Sequence, residues 1–123
     1  MKITLTGEDS IRLEPVDGPM TIEAPSADGQ FSPFHMLGSS LAYCTFSVLY
    51  SWATHANLSI DGMQIDVTWT FGGEPKRVDN IALTFRWPSL PPARLNAAKR
   101  VAAMCTVHET LHHSTNVSIE AAS

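Results

Sequence analysis

A chain of 123 residues, 44% of them hydrophobic, suits one compact domain that buries roughly two-thirds of the surface its unfolded form exposes. Eight Lys and Arg against twelve Asp and Glu leave a net charge of -4, and the basic residues cluster only in pairs such as Lys76-Arg77 and Lys99-Arg100, which argues against a nucleic-acid partner or an anionic membrane surface. No apolar run approaches the ~18 residues of a membrane span and "MKITLTGEDS" is polar by its seventh residue, so a cytoplasmic protein is expected, with two cysteines kept as thiols.

The first thirty residues alternate apolar and polar side chains in short runs, "KITLT", "IRLEP" and "MTIEA", punctuated by Gly7, Asp17-Gly18-Pro19 and Asp28-Gly29. This predicts three short strands. At "FSPFHMLGSSLAYCTFSVLYSWATHAN" the period changes to that of a helix. Ser32 is a suitable N-cap and Pro33 a suitable first helical residue, because the N–H that proline lacks would be unpaired there anyway. Leu37, Leu41, Cys44, Val48 and Trp52 then fall on one face, while Met36, Tyr43, Phe46, Leu49 and Tyr50 cover the opposite side. A helix apolar nearly all round belongs in the middle of the molecule or in a subunit contact, and Asn57 is its expected end. "MQIDVTWTFGG" and "RVDNIALTFRWP" alternate over long runs around Gly72-Gly73-Glu74-Pro75, which predicts a hairpin of two long strands. "PPARLNAAKRVAAM" reads as a second helix, "TVHETLHH" as a short third one and "NVSIEAA" as a closing strand. The order is β-β-β-α-β-β-α-α-β, with no repeat or linker, and therefore a single domain over residues 1–123.

One stretch, "MCTVHETLHH", has two readings. His108-Glu109-Thr110-Leu111-His112 has the H-E-x-x-H form, with two histidines on one helix face to hold zinc and a glutamate to act as general base. The 11 residues after His112 contain no Cys or Asp as a third ligand, Glu120 belongs to the closing strand and their one histidine, His113, points to another face. Thr106-Val107-His108-Glu109 also fits a T-x-x-E capping box, the simpler role for Glu109. No metal is therefore expected. With Thr106 as N-cap, Cys105 would precede a helix N-terminus, where the macrodipole favours thiolate. Cys105 is equally readable as a small packing residue, and Cys44, in mid-helix on an apolar face, as an inert one. Spacing alone leaves open whether residues 61 apart meet.

Together, "SPFHMLGSSLAYCTFSVLYSWA", the glycine-punctuated hairpin and "AAKRVAAMCTVHETL" resemble the OsmC/Ohr family of osmotically induced and organic hydroperoxide resistance proteins. The matching pattern is Ser32-Pro33, Cys44, and Cys105-Thr106-Val107-His108-x-x-Leu111, where Thr106 stands in place of the family's proline. The resemblance implies an α/β (α+β) OsmC-like fold, a long central helix packed on curved antiparallel sheets and an intertwined homodimer. It also implies that Cys44 is peroxidatic and Cys105 resolving, with an organic hydroperoxide as substrate, an external dithiol as reductant and no cofactor. Phe34, Tyr43, Phe46 and Trp52 are the candidate lining of an apolar substrate pocket.

Two departures bear on that expectation. The family's active peroxidases carry a glutamate ten residues before the first cysteine, partnered by an arginine from the N-terminal strands; Phe34 stands at the glutamate's position here. Arg12 falls about three residues past the family arginine, near which this chain has Asp9. His35 and Arg12 are the candidate substitutes as thiolate partners. Three functions follow: a thiol-dependent hydroperoxide reductase, a non-peroxidatic dimer of the same fold that binds a small apolar ligand or responds to redox state, and an H-E-x-x-H metal-dependent hydrolase.

Overall fold

A computed structural model describes residues 1–18, 20–24, 26 and 29–122. The chain has the mixed α+β content expected, arranged as two compact units, Met1–Gln30 and Phe31–Ser123. In the first, β1 (Ile3–Gly7) and β2 (Ser10–Leu13) form an antiparallel hairpin that pairs Ile3 with Leu13 and Leu5 with Ile11. An irregularity between Leu5 and Gly7 shifts the register at its tip. All four apolar residues of this ladder are exposed. The third strand expected over 20–24 is not formed, because those residues pair with no strand among the described residues and an extended segment without a ladder partner is not a strand. Pro19 and Asp28, read as turn residues, lie outside the described residues.

The second unit is built on α1 (Pro33–His55). Ser32 caps it as expected, its hydroxyl accepting from the His35 N–H at 3.2 Å while its own N–H donates to His35 Nδ1 at 3.3 Å. The helix ends at Ala56, and Asn57 turns the chain away in the left-handed region at φ 54°, a conformation asparagine tolerates better than most residues. The buried line of α1 is Gly38, Leu41, Thr45, Leu49 and Ala53. This corrects the expected face by one position, leaving Cys44 half-buried at its flank and Leu49 at its centre. A reading by hydropathy passes over Gly38 and Thr45, yet only small residues fit where the helix lies close to the sheet: a Cβ at Gly38 would already be in van der Waals contact with the Trp69 ring, at 3.4 Å.

That sheet is the predicted hairpin, β3 (Gln64–Gly72) with β4 (Arg77–Arg86), antiparallel from Gln64–Arg86 to Gly72–Arg77. Ile65, Val67 and Trp69 on β3, with Ile81, Leu83 and Phe85 on β4, are the more covered residues of each alternation. The register slips between Thr70 and Phe71, so that Asp79 is bulged out. After a single 3-10 turn at Pro92–Arg94 come α2 (Leu95–Ala102) and α3 (Thr106–His112), both packed on α1. Leu49, Ala53, Trp87 and Ala98 form the centre of the core, with Trp52 edge-on to Trp87 at 6.1 Å and the Trp87 indole N–H donating to the Ser59 carbonyl at 2.7 Å. The closing strand expected over 116–122 is likewise not formed; Val117 and Ile119 are exposed and pair with no strand among the described residues. No helix among the described residues is long and apolar enough to cross a membrane.

Candidate functional site

The two cysteines meet where α3 abuts α1. Cys44, half-buried on α1, and Cys105, fully buried at the start of α3, are free thiols close enough to influence each other's ionisation. Cys105 rather than Thr106 is the N-cap of α3: its backbone is extended (φ -68°, ψ 132°) and its Sγ accepts from the His108 N–H at 3.3 Å. Thr106 is the first helical residue, so no T-x-x-E box forms. Glu109 instead pairs one turn on with His113 at 3.0 Å.

The surroundings separate the two thiols electrostatically. Burial alone would push the Cys44 pKa up, but hydrogen bonds from the Cys105 thiol and from the backbone at Val107 and Thr106 favour its charged form, and together they hold it below the ordinary thiol value. Burial pushes Cys105 up, and its hydrogen bond to Cys44 adds to that, outweighing contributions from the His108 backbone and the Thr45 hydroxyl. The two shifts run in opposite directions, so Cys44 gives up its proton before Cys105 does.

The other sequence candidates are spread over the molecule. His35 is committed to the α1 cap and sits edge-on to Trp69 at 5.1 Å. Phe34 packs edge-on against Phe71 at 5.0 Å, and both Phe34 and His35 precede Cys44 along α1 by a rise of roughly 13–15 Å. Arg12 is an exposed residue of β2, opposite Thr4 in the first unit. Trp52 packs against the core, while Phe46 lies against Tyr50 at 5.9 Å and Tyr43 is exposed. Of the four proposed pocket residues, Phe34 lines a cavity. It belongs to a groove of about 640 Å³ between α1, β4 and α3, which shares Leu41, Ile81 and His108 with a second cavity of about 520 Å³ reaching Thr45. Sequence reasoning missed Thr45 and His108 as neighbours of the thiols, although Thr45 follows Cys44 directly and His108 was visible in the motif. His108 and His112 stack face to face at 5.7 Å, and no group of three His, Cys, Asp or Glu among the described residues is placed to hold a metal ion.

A two-thiol site seated between a long central helix and a short capped one, beside an antiparallel hairpin, defines an OsmC-type α+β protein. The sequence profile of the OsmC-like protein family matches residues 26–120, and the chain belongs to that family. Its fold is similar to that of a Psychrobacter arcticus protein described as an osmotic stress induced and detoxification response protein, with a TM-score of 0.61 and 24% identity over 68% of this chain. The match spans 62% of that protein's length. No curated protein matches the chain.

Proposed function

We propose that this protein is a thiol-dependent reductase of organic hydroperoxides, with Cys44 as the attacking thiol and Cys105 as the resolving one. The observation that supports this most directly is the pairing of two free thiols where α3 packs on α1, with Cys44 the one whose pKa is lowered. The Cys44 thiolate attacks one peroxide oxygen, an S–O bond forms as the O–O bond breaks, and the departing alkoxide takes up a proton to leave as alcohol. The Cys105 sulfur then attacks the Cys44 sulfenic acid, forming the disulfide and releasing water. An external dithiol returns both thiols by exchange. In this reading the α3 backbone N–H groups and the Cys105 thiol stabilise the charge that a guanidinium stabilises in the family's active peroxidases, so that Phe34 in place of the glutamate is tolerated.

The functional unit in this reading is a cytoplasmic homodimer of one OsmC-like domain per chain. Its support is the exposed ladder of Ile3, Leu5, Ile11 and Leu13, together with the unpaired segments 20–24 and 116–122, apolar material that a second copy would cover. Equilibrium sedimentation distinguishes a dimer from a monomer directly.

The decisive experiment is intact mass of the reduced protein after brief exposure to equimolar cumene hydroperoxide, with residual peroxide assayed in the same sample. A loss of about two mass units matched by peroxide consumption, both absent in Cys44→Ser, is the expected result. Unchanged mass and intact peroxide would replace this reading with that of a non-peroxidatic binding protein, the alternative favoured by Phe34 at the glutamate's position.

A further inference from the structure

The groove beside Phe34 has an apolar floor and a basic rim. Its floor is Phe34, Leu37, Leu41, Val78, Ile81 and Leu111. Val78 and Ile81 are three residues apart on β4, which in an unbroken strand would put them on opposite faces. The bulge at Asp79 restores both to the side facing α1. The groove then continues past Ile81 and His108 into the second cavity, lined by Leu83 and Phe85. From Arg77 to Leu83 the strand path is roughly 20 Å long.

The rim is set by the hairpin turn. Arg77 lines the groove, and the adjacent Lys76 places Nζ 5.2 Å from the centre of the Phe71 ring, which packs on Phe34. The Arg77 guanidinium lies across Gly73, whose φ of +83° and missing side chain leave room for it. One of its N–H groups donates to the Pro75 carbonyl at 3.2 Å. The one carboxylate lining the groove, Asp79, stands 3.9 Å from it with both side chains more than half exposed, a loose pairing that leaves donors free. His108 and His112 add imidazole nitrogens to this lining.

We propose that this groove binds an aliphatic carboxylate, its chain along Phe34, Leu37, Leu41 and Ile81 and its head between Lys76 and Arg77. An apolar channel closed at one end by a planar guanidinium and an ammonium selects an amphipathic anion over an alcohol or an amine of equal length. The head-group contacts at the hairpin turn use neither thiol, so binding persists when Cys44 is replaced.

The test is calorimetric titration of the full chain carrying Cys44→Ser with decanoate, decanol and decylamine, repeated with Lys76→Gln and Arg77→Gln added. Decanoate is expected to bind once per chain and about tenfold tighter than decanol, the low end for a charge-assisted contact at a partly exposed site. In the double substitution decanoate falls to the level of decanol, while decanol itself is unchanged. The advantage also shrinks in about 1 M salt, where the screening length is about 3 Å, a check that needs no variant. Equal binding of acid and alcohol by the parent would overturn the proposal. So would absence of binding by decanoate, or a preference that survives both substitutions, which would move the head to Lys99 in the second cavity. Because Cys44 is absent throughout, these results stand apart from any failure of peroxide reduction.

Discussion

Leu49→Ala is the sharpest test of how α1 is seated. The helix presents Leu49 with no exposed surface at the centre of the core, beside Ala53, Trp87 and Ala98, whereas Tyr50, its neighbour in sequence, is half exposed. Truncating Leu49 removes three carbons, a transfer loss of about 2.4 kcal/mol at ~0.8 kcal/mol per buried methylene. The void left between Trp87 and Ala98 raises this toward roughly 3–4 kcal/mol, because the flanking ring and the helix backbone collapse into it only in part. Tyr50→Ala, by contrast, should cost less than about 1 kcal/mol, since half of that side chain is already in water. Urea unfolding of both variants at one protomer concentration measures the difference without the mass-action shift that any oligomer introduces. A Leu49→Ala loss below that of Tyr50→Ala would refute the reasoning and restore the face centred on Cys44 and Val48.

Three further outcomes follow from particular contacts. Alkylation of Cys44 by iodoacetamide should show a midpoint below the ~8.5 of a free thiol, and Cys105→Ala should move it up by removing a donor. Since folding lowers this pKa, the thiolate's contribution to stability is present above the unfolded value and lost as pH falls through the folded one; a midpoint at or above the free-thiol value sinks the assignment. Gly38→Ala adds a Cβ in ordinary contact with Trp69 and Val67, at 3.4 and 3.5 Å, so the helix gains up to about 1 kcal/mol, read as a rise in Tm. Gly73→Ala forces a left-handed φ on alanine and pushes the new Cβ into the Arg77 guanidinium; it should cost about 1 kcal/mol and weaken decanoate binding without touching Cys44 alkylation.

The elements whose signals are local were legible in the sequence. Ser32-Pro33 marked the start of α1, and period-two alternation marked β3 and β4, because caps and strand faces are written in neighbouring residues. The segments "MTIEA" and "NVSIEAA" carry the same alternation and form no strand, since pairing depends on a partner edge that the segment itself does not encode. The one-residue error in the buried face of α1 has a related origin. Gly38 and Thr45 earn their burial by being small where Trp69 and Cys105 approach, a property of the neighbours rather than of hydropathy.

The site divides along the same line. Nothing in 61 residues of spacing says that Cys44 and Cys105 meet; that expectation came from resemblance, and what brings the thiols into contact is the packing of α3 on α1. The cap register was off by one because Thr106 is the better capping residue by propensity, while the chain turns extended at Cys105. That shift matters chemically. With Thr106 as cap, the first N–H groups of α3 would serve a hydroxyl; with Cys105 as cap, His108 N–H serves Cys105 and the backbone at Thr106 and Val107 serves Cys44. In the proposed reading the start of α3 holds the Cys44 thiol below its ordinary pKa where Phe34 stands at the position of the family's glutamate, so backbone beside the middle of α1 answers a departure at its first turn.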